Sequence, residues 1–516
     1  VSALLESLSS AALALYYAVL VALALFGLHR LLLLVLWAAA RWSKRRQDPP
    51  PLGDADLPAV TVQLPIYNEL YVAERLIDAV CSFDYPRDRL EIQVLDDSTD
   101  ETRDVVEASV RRHREAGVEI RQLRRADRAG YKAGALAEGL RSARGDLVAV
   151  FDADFVPRPD FLRRTAPWFA DPAVGMVQTR WDHINRGYSL LTRIQAILLD
   201  GHFAIEHVAR AESGRFFNFN GTAGIWRRRA IETSGGWTQD TLTEDLDLSY
   251  RAQLVGWRFV FLPETASPAE LPVDIHGFKR QQFRWAKGSM QTARKHLPSI
   301  LRGDLAWPVK LEALVHLTNN GAYLLMILLS LLAFPAMVVR HNRDLHWLSA
   351  LDVGLFGAST LAVCLFYLVS QLAIRPPKAG QTALLLPLMA LGIGLSVNNC
   401  RAVVSGLLRD GGAFERTPKY RIESRIDTWR RKRYRAGRDA TYALEGLMAA
   451  FQAVGLYFSW RLEMWTSLPF LLLFFLGYAT VFTLSLSRRL ELIVLPLDAS
   501  QGGGDLGAGG LIEPAA

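Results

Sequence analysis

A chain of 516 residues exceeds what one hydrophobic core sustains, so more than one unit is expected. With 50% hydrophobic and 22% charged residues, the composition excludes both a wholly soluble and a wholly membrane-buried protein and predicts one part of each. The formal net charge of +7 does not single out a nucleic-acid binder, and Cys81, Cys364 and Cys400 are too scattered for a disulfide framework or a zinc site, which leaves a reduced domain facing the cytosol.

From Ala11 to about Ala40 the chain is apolar except for His29 and Arg30. At about 20 residues per crossing this predicts one membrane helix reaching into the interface, whereas a signal peptide has a shorter apolar run of about 7–15 residues. Arg41, Lys44, Arg45 and Arg46 follow, and by the positive-inside rule they hold that end in the cytoplasm. Residues 1–42 thus read as an anchor and 43–57, with Pro49, Pro50 and Pro51, as a stiff basic linker.

Up to about Pro263 the pattern turns to short β-branched stretches between helical ones. Val60–Leu64, Ile92–Leu95, Leu147–Phe151 and Phe259–Phe261 read as buried strands, and Asp100 to about His113 and Tyr131–Ser142 as intervening helices. Such alternation predicts a parallel α/β sheet within residues 58–295, with ligands beyond the carboxyl ends of its strands. There lie Pro65-Ile66-Tyr67-Asn68-Glu69, then Asp96-Asp97, then Asp152-Ala153-Asp154.

Beyond Lys310, spans are expected near Thr318–Val339, Val353–Ile374, Thr441–Trp460 and Thr466–Leu486, making 296–498 interface helices and a membrane region. Thr382–Leu408 is long enough to cross but holds Asn398, Asn399 and Arg401, and a crossing would place the basic segment Arg416–Arg438 outside. The positive-inside rule therefore favours a re-entrant or interface-lying segment. Residues 499–516, with Gln501-Gly502-Gly503-Gly504, read as a disordered tail.

The polar clusters suggest chemistry, each against a plainer reading. Asp152 and Asp154, flanking one residue after a strand, suit a hard cation such as Mg²⁺ or Mn²⁺ shared with phosphate oxygens; the same pattern also makes turns and caps. Asp97 ends a strand too, and Asn68 and Glu69 are placed to touch a base or ribose, while Asp96–Asp100 also reads as a capping box in which Thr99 reaches Thr102. Lys132 opens a helix, where it either holds a phosphate or is simply solvated. Thr243-Glu244-Asp245-Leu246-Asp247 puts three carboxylates at a helix start; they cannot all face one way, and Asp245 is the candidate general base. Gln281, Arg284 and Trp285 fall about one turn apart, able to hold an oxygen, a leaving diphosphate and a sugar ring on one face, although Lys279, Arg280, Lys287, Arg294 and Lys295 also suit an amphipathic interface helix.

In this order and between membrane segments, Pro65-Ile66-Tyr67-Asn68-Glu69, Asp96-Asp97, Asp152-Ala153-Asp154, Phe219-Asn220-Gly221-Thr222, Thr243-Glu244-Asp245 and Gln281-Gln282-Phe283-Arg284-Trp285 resemble the family 2 processive glycosyltransferases of the cellulose synthase superfamily. The likeness is close over about Pro58 to Lys310 and loose in the membrane part. It implies a cytosolic GT-A domain between transmembrane helices of a multi-pass protein, and inverting transfer from a nucleotide-sugar onto a β-linked glycan. It further implies Asp245 and Glu244 as catalytic residues, and Asp152 and Asp154 as ligands of Mg²⁺ or Mn²⁺. Tyr67, Glu69, Asp97, Lys132, Asp152, Gln281, Arg284, Thr417 and Lys419 would bind the donor, and Asn220, Gly221, Trp181 and Trp285 the acceptor. Phe414-Glu415-Arg416-Thr417-Pro418-Lys419, within 411–421, resembles the gating loop of cellulose synthases. Arg416 stands where that loop usually has valine, and Asn220 where the family often has cysteine. Gln178-Thr179-Arg180-Trp181 resembles the mannan, glucomannan and xyloglucan-backbone branches, which narrows the donor to GDP-mannose or UDP-glucose. The partners expected are donor, glycan acceptor and lipid bilayer, with any accessory subunit unspecified. The rivals are a lipid glycosyltransferase, which needs neither Gln281-Arg284-Trp285 nor the loop, and a transporter, for which inverted repeats are lacking.

Overall fold

A computed structural model describes residues 2–43, 48–374, 382–412, 415–430, 432–434 and 441–494. Phe414 and the expected tail lie outside them. Seven strands form one sheet: β1 (Val60–Ile66), β2 (Leu90–Asp96), β3 (Ile120–Leu123), β4 (Leu147–Val150), β5 (Val174–His183), β6 (Gly224–Arg227) and β7 (Arg258–Ala269), ordered β3-β2-β1-β4-β6-β5-β7. The first four strands in that order run parallel, as expected. The sheet as a whole is mixed, because the short β6 enters antiparallel to β4 and β5; its Gly-Ile-Trp-Arg sequence carries no alternation long enough to announce a strand.

The helices of this domain are α2 (Ala73–Cys81), α3 (Thr102–Glu115), α4 (Tyr131–Ser142), α5 (Phe161–Thr165), α6 (Leu190–Gly201), α7 (His207–Glu212), α8 (Arg228–Thr233) and α9 (Glu244–Leu254), after α1 (Ser2–Ser43) at the amino end. Every residue of β2 is buried, and two apolar clusters fill the faces of the sheet, one around Val62, Ile92 and Phe151, the other around Val148, Phe219 and Trp226. The predicted capping box is not formed. Thr99 N donates to Asn68 Oδ1 at 2.8 Å, and the side chain serving Thr102 N is Asp100, at 3.0 Å. The first of these bonds draws the loop after β2 toward the loop after β1.

Next come α10 (Ile275–Arg302), α11 (Trp307–Thr318), α12 (Ala322–Asn342), α13 (Ser349–Ile374), α14 (Leu385–Gly394), α15 (Ser396–Leu408), α16 (Tyr442–Arg461) and α17 (Leu468–Val494). Helix α10 runs unbroken across the boundary expected at residue 295. Among the described residues four helical stretches are long and apolar enough to cross a membrane: Glu6–Trp42, Trp307–Asn342, His346–Ile374 and Leu468–Leu490. The segment 382–408 is a pair, α14 and α15, bent by 46°. Its second half lies along α10, where Asn398 Nδ2 donates to the Lys279 carbonyl at 2.9 Å.

Thr441–Trp460, expected as a span, does not join that set. Its helix α16 carries Glu445 and Gln452, both fully buried. Glu445 Oε1 meets Lys279 Nζ of α10 at 2.5 Å, with Thr441 and Ser485 beside it. A carboxylate removed from a buried ammonium leaves an uncompensated charge, so Glu445→Ala is expected to destabilise the chain by about 3 kcal/mol. Thermal unfolding in detergent, read against a surface change such as Glu138→Ala, checks this.

Candidate active site

The carboxyl ends of β2, β1 and β4 are neighbours in the sheet, so the loops that follow them open on one cavity. Tyr67 and Glu69 enter it after β1, Asp97 after β2, and Asp152 and Asp154 after β4. Across from them stand Asn220 and Gly221, and Glu244 and Asp245 at the start of α9. One turn of α10 supplies Gln281, Arg284 and Trp285, and Trp181 comes from β5. Thr417 and Lys419 close the ring, so every catalytic, donor, acceptor and metal residue that the resemblance implies lines this one space, while Asn68 is turned to Thr99 instead.

Lys132 organises its centre. Gly130, at φ +71°, turns the chain into α4 and aims the second helical residue inward. The ammonium lies 2.6 Å from Asp152 Oδ1 and 3.8 Å from Glu244 Oε1, and donates to the Gly221 carbonyl at 2.8 Å. Burial disfavours its charge, but Asp152 and Glu244 outweigh that and raise its pKa. Asp245 is pushed the other way: burial and the adjacent Glu244 carboxylate raise it to about 7 against the pull of Lys132. The third carboxylate of this turn, Asp247, faces away. It is fully buried between His296 at 2.7 Å, Lys295 at 2.8 Å and Arg251 at 2.8 Å, which overcome burial and hold it well below the usual carboxylate range.

The segment from Glu415 onward crosses the mouth. Arg284 Nη1 donates to the Glu415 carbonyl at 3.0 Å. Arg416 pairs with Glu69 at 2.8 Å and stacks 3.9 Å over Tyr434; burial nevertheless raises Glu69 to about 7. Lys419 Nζ sits 2.7 Å from Asp154 Oδ2 and 2.9 Å from the Glu270 carbonyl, while the Thr417 hydroxyl is buried without a hydrogen-bond partner. Asp152 and Asp154 are therefore each neutralised by a lysine from opposite sides. Among the described residues no group of three or more His, Cys, Asp or Glu is placed to hold a metal ion, so any cation on this pair would need other oxygen ligands, such as phosphate.

Two side chains are engaged differently from the sequence expectation. Asp97 is held in a fork by Arg125, at 3.0 and 2.5 Å. The Asn220 amide is taken at both ends by histidines, at 2.7 and 3.0 Å. Trp181 and Trp285 lie with ring centroids 6.4 Å apart at 54°, an aromatic corner suited to a sugar face. Sequence reasoning passed over Arg125, Arg128, His183 and Glu270, and noted Arg416 without giving it a role. Arg128 stacks 3.3 Å over Tyr67 on the cavity wall. Its signal was the Arg124-Arg125-Ala126-Asp127-Arg128 run ahead of Gly130, while His183 ends β5 and Glu270 follows β7, with no motif around them.

Residues 58–288 match the family model described as glycosyltransferase-like family 2. Over 260 residues, 49% of this chain, the sequence is 45% identical to glucomannan 4-beta-mannosyltransferase 2 of Arabidopsis thaliana, covering 49% of that protein. It is 44% identical over 260 residues to glucomannan 4-beta-mannosyltransferase 1 of Oryza sativa subsp. japonica, covering 49% of this chain and 50% of that one. The chain thus spans about half the length of the curated relatives it matches. A mannosyltransferase from Pyrobaculum calidifontis, solved in complex with GDP-Man and Mn²⁺, has the same fold, with a TM-score of 0.50, 24% identity, and coverage of 77% of this chain and 99% of that one.

Proposed function

We propose that this chain, whose residues 58–288 match the family 2 glycosyltransferase model, transfers mannose from GDP-mannose to the end of a growing β-linked mannan or glucomannan, from a GT-A domain held at the cytosolic face by a multi-pass membrane region. The observation that carries this reading is the meeting of Asp245, Lys132 and Asp152 with the Gln281-Arg284-Trp285 turn around one cavity. The relatives favour mannose over glucose as the sugar.

In the proposed reaction Asp245 takes the proton of the acceptor hydroxyl, which attacks the anomeric carbon as the diphosphate departs on the opposite side. Arg284 and Lys132 meet the departing charge, and Trp285 with Trp181 holds the acceptor ring. Asp152 and Asp154 have the hard oxygen chemistry for Mg²⁺ or Mn²⁺ and line the same wall; a bound ion supplies neutralisation of the diphosphate. The decisive experiment supplies radiolabelled GDP-mannose or UDP-glucose to the full chain in membrane vesicles and sizes the product. Label in an insoluble glycan cleaved by a β-mannanase supports the proposal. Label confined to the lipid extract would replace it with lipid glycosylation.

A base works only when deprotonated, and Asp245 is raised to about 7, so transfer is expected to climb with pH through that region and fall below it. Initial rates between pH 5.5 and 8.5 at saturating donor check this. A profile flat down to the ordinary carboxylate range would remove Asp245 from the role.

A further inference from the structure

Asn220 stands where the resemblance implies an acceptor contact, yet each end of its amide is already engaged by a histidine. Its Oδ1 accepts from His207 Nε2 at 2.7 Å, and its Nδ2 donates to His202 Nε2 at 3.0 Å. This pairing fixes both tautomers. His207 carries its proton on Nε2, which also points at the Asn218 carbonyl at 3.1 Å; His202 carries its own on Nδ1, donated to Glu206 Oε2 at 3.1 Å. Burial keeps both rings neutral, holding His207 at about 3 and His202 well below the usual imidazole range.

The rings are rigidly seated. A π-helical turn, His202–Glu206, joins α6 to α7 and stacks the two imidazoles edge to face at 4.3 Å. Glu206 is in turn paired with Arg210 at 3.1 Å and with Arg30 of α1. On the far side of the loop, Gln178 Oε1 accepts from Asn220 N at 3.0 Å. The next residue, Gly221, gives its carbonyl to Lys132 at 2.8 Å, and a Cβ there would come within 2.9 Å of Asp245 Oδ2. A displacement of Asn220 therefore passes within one residue to the ammonium and the carboxylate at the centre of the cavity.

We propose that His202 and His207 are positioning residues for the transfer reaction: they clamp the Asn220 amide so that the Gly221 carbonyl holds the Lys132 ammonium in place, and Asn220 itself does not contact the acceptor. The proposal rests on the reading of Asp245 and Lys132 as the reacting centre. It is tested by transfer kinetics of the full chain in vesicles with GDP-mannose and a mannan oligosaccharide. His207→Phe is expected to lower kcat about 10- to 100-fold, the scale on which small misplacements act, with the acceptor KM unchanged. His207→Gln, whose amide still donates to Asn220, is expected to restore most of the rate, which a role in packing alone would not produce. Asn220→Ala should reproduce the kcat loss and carries the test if the phenylalanine variant does not fold. A raised acceptor KM with intact kcat in Asn220→Ala would overturn the clamp in favour of direct contact, as would equal rates for the phenylalanine and glutamine variants. Asp245→Asn separates the two claims: if it retained transfer, the reading of the centre would fall, while the kcat and KM split would still decide the clamp.

Discussion

Asp245→Asn is expected to reduce transfer by about 10²- to 10⁴-fold, the range of a positioned general base, while leaving GDP-mannose binding intact. The substitution is isosteric, so the hydrogen bond that Asp245 Oδ1 accepts from Leu246 N at 2.8 Å can persist, and neither Lys132 nor Arg284 is altered. Glu244→Gln offers the contrast. Its carboxylate adds to burial in raising Asp245, so removing that charge lowers the Asp245 pKa and moves the acid limb of the rate profile down rather than abolishing the rate. Rates for the two variants, beside donor titration by fluorescence quenching, decide the assignment. Equal losses in both would mean that the pair, not Asp245, carries the proton.

Gly221→Ala is expected to cost a similar order, about 10²-fold in kcat, with only a modest loss of stability. The residue sits at φ +79°, where a side chain costs about 1–2 kcal/mol. More telling is what a methyl group meets there: Asp245 Oδ2 at 2.9 Å and Lys132 Nζ at 3.3 Å. Both are ends of flexible side chains, so the fold can yield, but it yields by moving the two groups the proposed reaction uses. A small fall in Tm beside a large fall in kcat bears this out; a large fall in Tm with kcat per folded molecule unchanged would reverse it.

Much of this arrangement was legible from residues alone, for identifiable reasons. Helix α4 was read at its observed ends, Tyr131–Ser142, and Gly130 makes the turn that opens it. The parallel strands β1, β2 and β4 announced themselves as apolar, β-branched runs because they are buried on both faces, whereas the parallel β3, Ile-Arg-Gln-Leu and only half-buried, and β5 were not read. Local sequence could not tell which carboxylate of Thr243-Glu244-Asp245-Leu246-Asp247 turns away, since the partners that draw Asp247 outward, Lys295 and His296, lie some fifty positions downstream on α10. For the same reason α16 looked like an ordinary span: Glu445 is compatible with an apolar setting only because Lys279, from the far end of the catalytic region, reaches it. The Asn220 clamp was hidden likewise, its two histidines spaced at i, i+5 by a π turn that no α-helical periodicity would align.

The two cations brought by the segment after Glu415 have a consequence for affinity. Arg416 sits on Glu69 and Lys419 on Asp154, so in the proposed reaction a ribose or base on Glu69 and a cation on Asp154 must each displace a partner that this strip of chain supplies. By mass action, the free energy that seats the strip is subtracted from the intrinsic affinity for the donor, and the measured constant is the intrinsic one divided by the fraction of molecules in which the strip has let go. Arg416 is thus a dial on saturation rather than on chemistry: replacing it with the valine usual in related loops would tighten apparent donor binding and leave the bond-making step where it was.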